Sequence, residues 1–116
     1  MRERVANWVR RYVKAWNTND PDDIGAMFTD DAVYYTAPFR EPWRGRDAIV
    51  EGWLDAKDVP GDTEFDFQVT AIDGDLGIVR GETYYKGDDE RFVNLWEIRL
   101  DGDRCSSFTE WWMEVK

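Results

Sequence analysis

Near the start of the chain, apolar residues recur at intervals of three or four positions. The residues in this series are Val5, Trp8, Val9, Tyr12, Val13 and Trp16. Such spacing places them in one stripe along a helix, and we predict a helix over residues 3–18. Asp20 and Pro21 then favour the N-cap and first position of a short second helix. A third helix is predicted over residues 47–56, ahead of a Pro-Gly pair that ends it.

Strand patterns occupy the rest of the chain. A β-rich segment over residues 32–36 predicts a first strand, and an irregular connection with two prolines follows it. Alternation then places four apolar side chains on one side of a second strand: Phe65, Phe67, Val69 and Ala71. Three further strands are predicted over residues 77–86, 91–100 and 104–115, separated by turns rich in Gly and Asp. This order predicts a single α+β domain over residues 1–116, with about three helices packed into a strongly curved, mainly antiparallel sheet.

The turns also give an estimate of strand register. Closing the last two hairpins on residues 101–103 and 87–90 predicts a set of opposed pairs on one face of the sheet. These pairs are Trp96 with Phe108, Asn94 with Glu110, Phe92 with Trp112, Thr83 with Asn94, and Tyr85 with Phe92. The opposite face has its own apolar and aromatic residues: Val93, Leu95, Tyr84, Trp111 and Met113. A second apolar face on one sheet predicts a homodimer interface.

Charge and residue types narrow the possible functions. The chain has 116 residues and a formal net charge of -10, which disfavours binding to nucleic acid or to a membrane surface. It has no histidine, so Ser-His-Asp and Cys-His catalysis and the commonest zinc sites are excluded. Cys105 is the single cysteine, and no glycine-rich phosphate loop is present, so we expect no disulfide, metal or organic cofactor. Without an apolar leader or a membrane-length apolar run, we expect a cytoplasmic protein.

Three segments of the sequence resemble the SnoaL-like branch of the NTF2-like superfamily. They are AWNTNDPDDIGAMFTDDAVYY, EPWRGRDAIVEGWL and VNLWEIRLDGDRCSSFTEWWME, and the resemblance covers nearly the whole chain. It implies a cone of three helices and a strongly bent sheet that is open at one end, with dimers formed through the outer sheet face. The superfamily includes ketosteroid isomerases, polyketide cyclases, dehydratases and epoxide hydrolases, so the resemblance does not identify a reaction.

Comparison with the ketosteroid isomerases places Tyr12 at the oxyanion-hole tyrosine of that family. The general-base aspartate of the family falls on Thr36, its second oxyanion-hole residue falls near Trp96, and the tyrosine of its third helix falls on Trp53. The base and half of the oxyanion hole are therefore missing, and we do not expect steroid isomerisation by that mechanism. The histidines of scytalone-dehydratase-like members are also absent.

Glu110 is the leading candidate for a catalytic residue. Aromatic neighbours would desolvate its carboxyl group and raise its pKa, which suits a general acid or base near neutrality. Tyr12 is the candidate donor to a ligand carbonyl. Further residues are predicted to contact the ligand: Asn94, Thr36, Tyr34, Trp16, Trp53, Thr83, Trp96, Phe108 and Trp112.

Two functions remain open from the sequence. The first is a pocket that binds a small, largely apolar molecule, with proton-transfer chemistry of the isomerase, dehydratase or cyclase type if that molecule has a carbonyl group. The second is a non-catalytic dimeric module whose pocket is filled by its own Trp and Phe side chains. In the second case Glu110 makes a structural hydrogen bond with Asn94, and the aromatic residues are core.

Overall fold

Three helices and six strands make up the fold in a computed structural model that describes residues 1–116. The helices are α1 (Arg2–Thr18), α2 (Pro21–Ala26) and α3 (Arg46–Asp55). The strands are β1 (Phe28–Tyr35), β2 (Trp43–Arg44), β3 (Thr63–Asp73), β4 (Leu76–Tyr85), β5 (Glu90–Asp101) and β6 (Arg104–Glu114). They form one sheet in the order β2-β1-β6-β5-β4-β3, antiparallel throughout except for the parallel pair β1–β6. The predicted α+β class is confirmed.

The helices follow the sequence pattern closely. Most of the apolar stripe of α1 is buried, and the helix ends where Asn19 adopts a left-handed conformation with φ of 51°. The side chain of Asp20 then accepts a hydrogen bond from the backbone N–H of Asp22 and caps α2, with Pro21 in its first turn. The predicted end of α1 and the predicted start of α2 are confirmed. No helix combines the length and the apolar character that a membrane span requires.

The core lies between these helices and one face of the sheet. Trp8 from α1 contacts Phe28 of β1 and Phe108 of β6, with ring centroids 5.8 and 5.7 Å apart. All three side chains are almost fully buried. The indole N–H of Trp8 donates to the carbonyl oxygen of Met27 at 2.9 Å, so its one polar atom is satisfied within the core. This cluster fixes α1 against the sheet on the face that also forms the candidate site.

The predicted register of both C-terminal hairpins is wrong by two residues. In β5–β6, Trp96 lies opposite Glu110 and Asn94 opposite Trp112. The strands pair up to Asp101 and Arg104, so the turn is one residue shorter than predicted, and a bulge between Arg99 and Leu100 displaces the partners by one further residue. The other predicted β5–β6 partners are replaced in the same way, since Phe92 pairs with Glu114 and Phe108 with Ile98. A shift of two residues retains the face to which each side chain points, so the predicted faces survive the error.

The β4–β5 hairpin shows the same displacement. Thr83 lies opposite Phe92 and Gly81 opposite Asn94, whereas the sequence predicts Thr83 opposite Asn94 and Tyr85 opposite Phe92. The strands stay paired up to Tyr85 and Glu90, so the connecting loop covers residues 86–89, one position earlier than the predicted 87–90.

Two further strand predictions need correction. A bulge between Val69 and Ala71 reverses the alternation of β3, so Ala71 is exposed and Ile72 takes the inward position. The predicted irregular connection after β1 contains the short strand β2, which pairs Trp43 with Tyr34. That pairing matters for the site, because it brings the indole of Trp43 onto Tyr34.

Candidate functional site

A cavity of about 500 Å³ opens between the helices and the helix-covered face of the sheet. Side chains from α1, β1 and α3, together with β4, β5 and β6, line it. The lining includes all but one of the residues predicted to form the site: Tyr12, Trp16, Tyr34, Thr36, Trp53, Thr83, Asn94, Trp96, Glu110 and Trp112. These positions are far apart in sequence, and the curvature of the sheet against the helices brings them together.

Phe108 is the exception among the predicted ligand contacts. It is fully buried and does not line the cavity. Its ring stacks on Tyr34 at 4.6 Å and on Tyr12 at 5.5 Å, on the core side of both tyrosines. Phe108 therefore supports the lining from behind and belongs to the core.

Glu110 is held by two donors from the neighbouring strand. Asn94 Nδ2 donates to Glu110 Oε2 at 2.8 Å, and the indole Nε1 of Trp96 donates to the same oxygen at 3.0 Å. Trp96 lies directly opposite Glu110 on β5, and Asn94 lies diagonally across the strand pair. Oε1 of Glu110 accepts no hydrogen bond from the protein, which leaves this oxygen for a ligand.

A third strand fixes the orientation of Asn94. The hydroxyl of Thr83 on β4 donates to Asn94 Oδ1 at 2.7 Å, and both side chains are buried. With its oxygen occupied by Thr83, the amide must present its NH₂ group to Glu110. The series Thr83–Asn94–Glu110 therefore holds the carboxyl group across three adjacent strands.

The pKa of Glu110 is raised above its usual value. Burial, which disfavours the charged form, is the largest cause, and the negative charge of Asp58 adds to it. The hydrogen bonds from Trp96 and Asn94 favour the charged form and oppose this rise without cancelling it. A carboxyl group in this environment can both accept and return a proton closer to neutral pH than an exposed glutamate can.

A pair of tyrosine hydroxyls forms the second polar centre of the cavity. The hydroxyl oxygens of Tyr12 and Tyr34 lie 2.7 Å apart, and burial raises the pKa of both phenols. Since one hydroxyl donates to the other, the proton of the acceptor hydroxyl stays free for a ligand. Tyr12 is in turn fixed by ring contacts with Trp53 and Trp96, at 4.7 and 4.5 Å between centroids.

Several lining residues were not among the predicted site residues. Trp43 stacks on Tyr34 at 4.8 Å, and Tyr85 and Phe92 extend the aromatic lining along the sheet. Alternation places Tyr85 and Phe92 on the correct face, and this signal could have included them in the site. Trp43 depends on the short strand β2, which has no such signal.

The remaining charged groups of the lining are Lys57 and Asp58, from the segment after α3, and Glu114, from the end of β6. Trp16 Nε1 donates to Asp58 Oδ2 at 2.6 Å, and Asn19 Nδ2 donates to the carbonyl oxygen of the same residue at 3.2 Å. These contacts tie the segment to the end of α1. Its conformation depends on tertiary contacts, so spacing along the sequence could not place it. Nowhere in the structure do three or more metal-ligating side chains converge.

Comparisons with known proteins agree on the fold. A family model described as "SnoaL-like domain" matches residues 9–108. No curated protein matches the chain. Among solved structures, an NTF2-like protein of unknown function from Burkholderia xenovorans is similar with a TM-score of 0.76 and 16% identity, covering 98% of this chain and 86% of that one.

Two other solved structures show the same similarity. An NTF2-like protein of unknown function from Mesorhizobium loti has a TM-score of 0.71 and 22% identity, over 97% of this chain and 93% of that one. A ketosteroid isomerase-like protein from Erwinia carotovora atroseptica has a TM-score of 0.70 and 20% identity, over 99% of this chain and 96% of that one. At these identities the likeness establishes the fold and leaves the chemistry to the residues of the site.

Proposed function

The chain belongs to the SnoaL-like domain family, and from this premise we propose that its cavity binds a largely apolar small molecule with which Glu110 exchanges a proton. The observation that supports this proposal most strongly is the free Oε1 of Glu110 in an aromatic-lined cavity of about 500 Å³. Buried acids are scarce in proteins, and Glu110 combines a raised pKa with an oxygen atom, Oε1, that accepts no hydrogen bond from the protein.

The arrangement suits a ligand with a carbonyl group. Glu110 Oε1 takes a proton from the carbon beside the carbonyl, and the electron pair of the broken C–H bond moves toward the carbonyl oxygen. The free hydroxyl proton of the pair Tyr12 and Tyr34 donates a hydrogen bond to that oxygen as its negative charge grows. Return of the proton from Glu110 to a different carbon completes an isomerisation. If instead a hydroxyl group on the neighbouring carbon leaves, it takes the proton from Glu110 and departs as water, which completes a dehydration. If the carbanion attacks a second carbonyl carbon, the oxygen of that carbonyl takes the proton from Glu110, which completes a cyclisation.

The alternative is a non-catalytic module in which the same residues only stabilise the fold. The sequence supports this alternative because it supplies Trp and Phe side chains that would fill the pocket. The indoles of Trp53 and Trp96 are nearly buried in contact with Tyr12, as that reading requires. The volume beside Glu110 favours the ligand-binding proposal, because a filled module has no need for a polar group facing unoccupied space.

A thermal-shift screen with aromatic, steroid-like and terpenoid carbonyl compounds tests binding. A ligand at about 100 times its dissociation constant stabilises the protein by about 2.7 kcal/mol, which for a domain of this size raises the melting temperature by roughly ten degrees. A uniform absence of shifts would contradict the proposed pocket and favour the filled module.

Proton exchange tests the chemistry on any compound that binds. NMR in D₂O follows the replacement of the hydrogen beside the carbonyl by deuterium. We expect Glu110→Gln to lower the exchange rate by about 10² to 10⁴-fold while the ligand still binds. Thr109→Val, on the same strand, is the matched control and should leave the rate unchanged. Equal rates in Glu110→Gln and the unaltered protein would exclude Glu110 as the base.

A further inference from the structure

The charged groups that line the cavity are predominantly acidic. Asp58, Glu110 and Glu114 are carboxylates, Lys57 is the single basic residue, and no arginine lines the cavity. Lys57 is exposed and forms no ion pair, so it can turn toward solvent. A ligand that enters therefore meets a negative potential, which adds to the net charge of -10 on the whole chain.

Two of these carboxylates act on the same region of the cavity. Burial is the largest cause of the raised pKa of Glu110 and of Tyr85, and the charge of Asp58 adds to both. Asp58, Glu110 and Tyr85 all line the same cavity. Oε1 of Glu110 accepts no hydrogen bond from the protein. The hydrogen bond that the side chain of Asp58 accepts from Trp16 ends on Oδ2.

Aromatic rings surround this pair of carboxylates. Trp16 donates to Asp58, and Trp96 donates to Glu110, so an indole lies beside each acid. Tyr85, Phe92 and Trp112 form a row along the sheet with edge-to-face contacts of 5.6 and 6.0 Å. Aromatic faces together with carboxylates are the environment that organic cations bind, because the ring quadrupole and the negative charges act in the same direction.

One of these rings already lies near a cation of the protein. The guanidinium carbon of Arg40 lies 6.0 Å from the centroid of the Trp112 ring. Arg40 itself is exposed and does not line the cavity. The contact indicates that the Trp112 ring is open to the approach of a cation.

We propose that the ligand of this cavity is a hydrophobic organic cation, a protonated or quaternary amine on an apolar body, whose charge lies between Asp58 and Glu110. This inference rests on the proposed function and names the ligand class of the same site. A positive charge beside Glu110 stabilises its carboxylate form, which is the form required to remove a proton. Anionic ligands are excluded by the same charges.

Two probes of nearly equal shape separate charge from apolar fit. (4-Hydroxyphenyl)trimethylammonium and 4-tert-butylphenol differ in one atom, a positively charged nitrogen in place of carbon. Isothermal titration at pH 7 and low salt measures both dissociation constants with the full chain. We expect the cation to bind about tenfold more tightly than the neutral probe, an advantage that falls as salt is added.

Charge-changing variants locate the effect. Asp58→Asn should remove most of the advantage of the cation, and Lys57→Gln should increase that advantage several-fold. Asp101→Asn is the matched control, since it changes the net charge by the same amount at the exposed end of β5. Because Lys57 is exposed and unpaired, its variant keeps the test valid even if Asp58→Asn does not fold.

The outcomes separate this inference from the function on which it rests. Equal affinities for the two probes, or tighter binding of 4-tert-butylphenol, would contradict a cationic ligand and would still be consistent with the proposed apolar pocket. Failure of both probes to bind would contradict both the proposed binding pocket and the proposed cationic ligand. Equal loss of the advantage in Asp58→Asn and Asp101→Asn would show that net charge, and not this site, attracts the cation.

Discussion

Trp96 lies directly opposite Glu110 across the β5–β6 strand pair, and its indole N–H donates to Glu110 Oε2 at 3.0 Å. The same side chain thus forms part of the aromatic lining and stabilises the charge of the acid. Its ring removes water from the carboxyl group and raises the pKa, while its N–H opposes that rise. The protonation state of Glu110 therefore depends on a balance that single substitutions can move in either direction.

The raised pKa of Glu110 makes stability depend on pH. A carboxyl group whose pKa is higher in the folded state stabilises the fold fully below its unfolded pKa, and this contribution is lost as pH rises through the folded pKa. Glu110→Gln retains an oxygen for Asn94 and Trp96 and removes the ionisation. We expect its free energy of unfolding to rise relative to that of the unaltered protein between pH 4 and pH 8, by about 1.4 kcal/mol for each unit of pKa elevation.

A substitution on the same strand controls for the other acids of the chain. Glu114→Gln removes an exposed carboxyl group from the end of β6 and is the matched control, since it changes the net charge by the same amount. A difference for Glu110→Gln that stays flat, or that moves against the variant with rising pH, would contradict a raised pKa.

Trp96→Phe tests the donor role of the indole. The loss of ring volume destabilises the core equally at every pH, by about 1 to 3 kcal/mol. The loss of the N–H removes one of the two hydrogen bonds that lower the pKa of Glu110, so an additional penalty should develop as pH rises and the carboxyl group ionises. Chemical denaturation at pH 4 and pH 8 separates the two parts. If the indole N–H is unimportant, the two penalties will be the same.

The sequence was sufficient for the helices and for the faces of the sheet. The α1 stripe, the Asp20 cap and the alternation in β4 to β6 are local signals, and each places its side chains without reference to the rest of the chain. Glu110 and Asn94 were brought to one face by that alternation alone.

The details of the site needed tertiary information. The bulge between Arg99 and Leu100 has no local signal, and the turn is one residue shorter than predicted. The sequence therefore predicted Asn94 as the residue opposite Glu110, whereas the structure has Trp96 there. Asp58 was missed because its position depends on contacts with Trp16 and Asn19, which lie about forty residues away along the chain.

The hydroxyl pair of Tyr12 and Tyr34 should appear as an energetic coupling. Tyr12→Phe or Tyr34→Phe alone removes the 2.7 Å hydrogen bond and leaves the other hydroxyl without its partner in a buried site, at a cost of about 1 to 2 kcal/mol each. In the double variant no hydroxyl remains unpaired, so its cost should be less than the sum of the two. Urea unfolding of the four proteins measures the coupling, and strictly additive costs would show that the hydrogen bond contributes nothing.

Gly52 on α3 allows the close approach of Trp43, which lines the cavity. A Cβ atom at this position would lie 2.3 Å from the Trp43 ring, against 3.6 Å for the nearest atom at the helical Gly25. We expect Gly25→Ala to stabilise the protein by about 0.5 to 1 kcal/mol through helix propensity. Gly52→Ala should destabilise it by about 1 to 3 kcal/mol, since overpacking outweighs the same gain. Similar thermal shifts for both variants would contradict a tight α3–Trp43 contact.

The sheet face away from the cavity leads to a proposal about assembly. Leu95, Trp111 and Met113 are 38%, 43% and 66% exposed there, and Phe39 lies nearby at 96%. The indole N–H of Trp111 donates to Glu97, which leaves its ring as apolar surface. We propose that two copies of the chain bury this face against each other, because contiguous apolar patches of this kind seldom stay exposed on monomers.

Sedimentation velocity over a range of concentrations measures this assembly. We expect a dimer that Trp111→Lys converts to a monomer, since the substitution buries an unpaired charge in the interface. Asn7→Lys is the matched control, because it adds the same charge at an exposed position on α1, away from that sheet face, and should leave the dimer intact. Each added lysine makes the net charge of -10 less negative and so reduces the repulsion between copies. Loss of the dimer in Trp111→Lys alone therefore identifies the apolar face as the contact, whereas a monomer in all three proteins would contradict the proposed assembly.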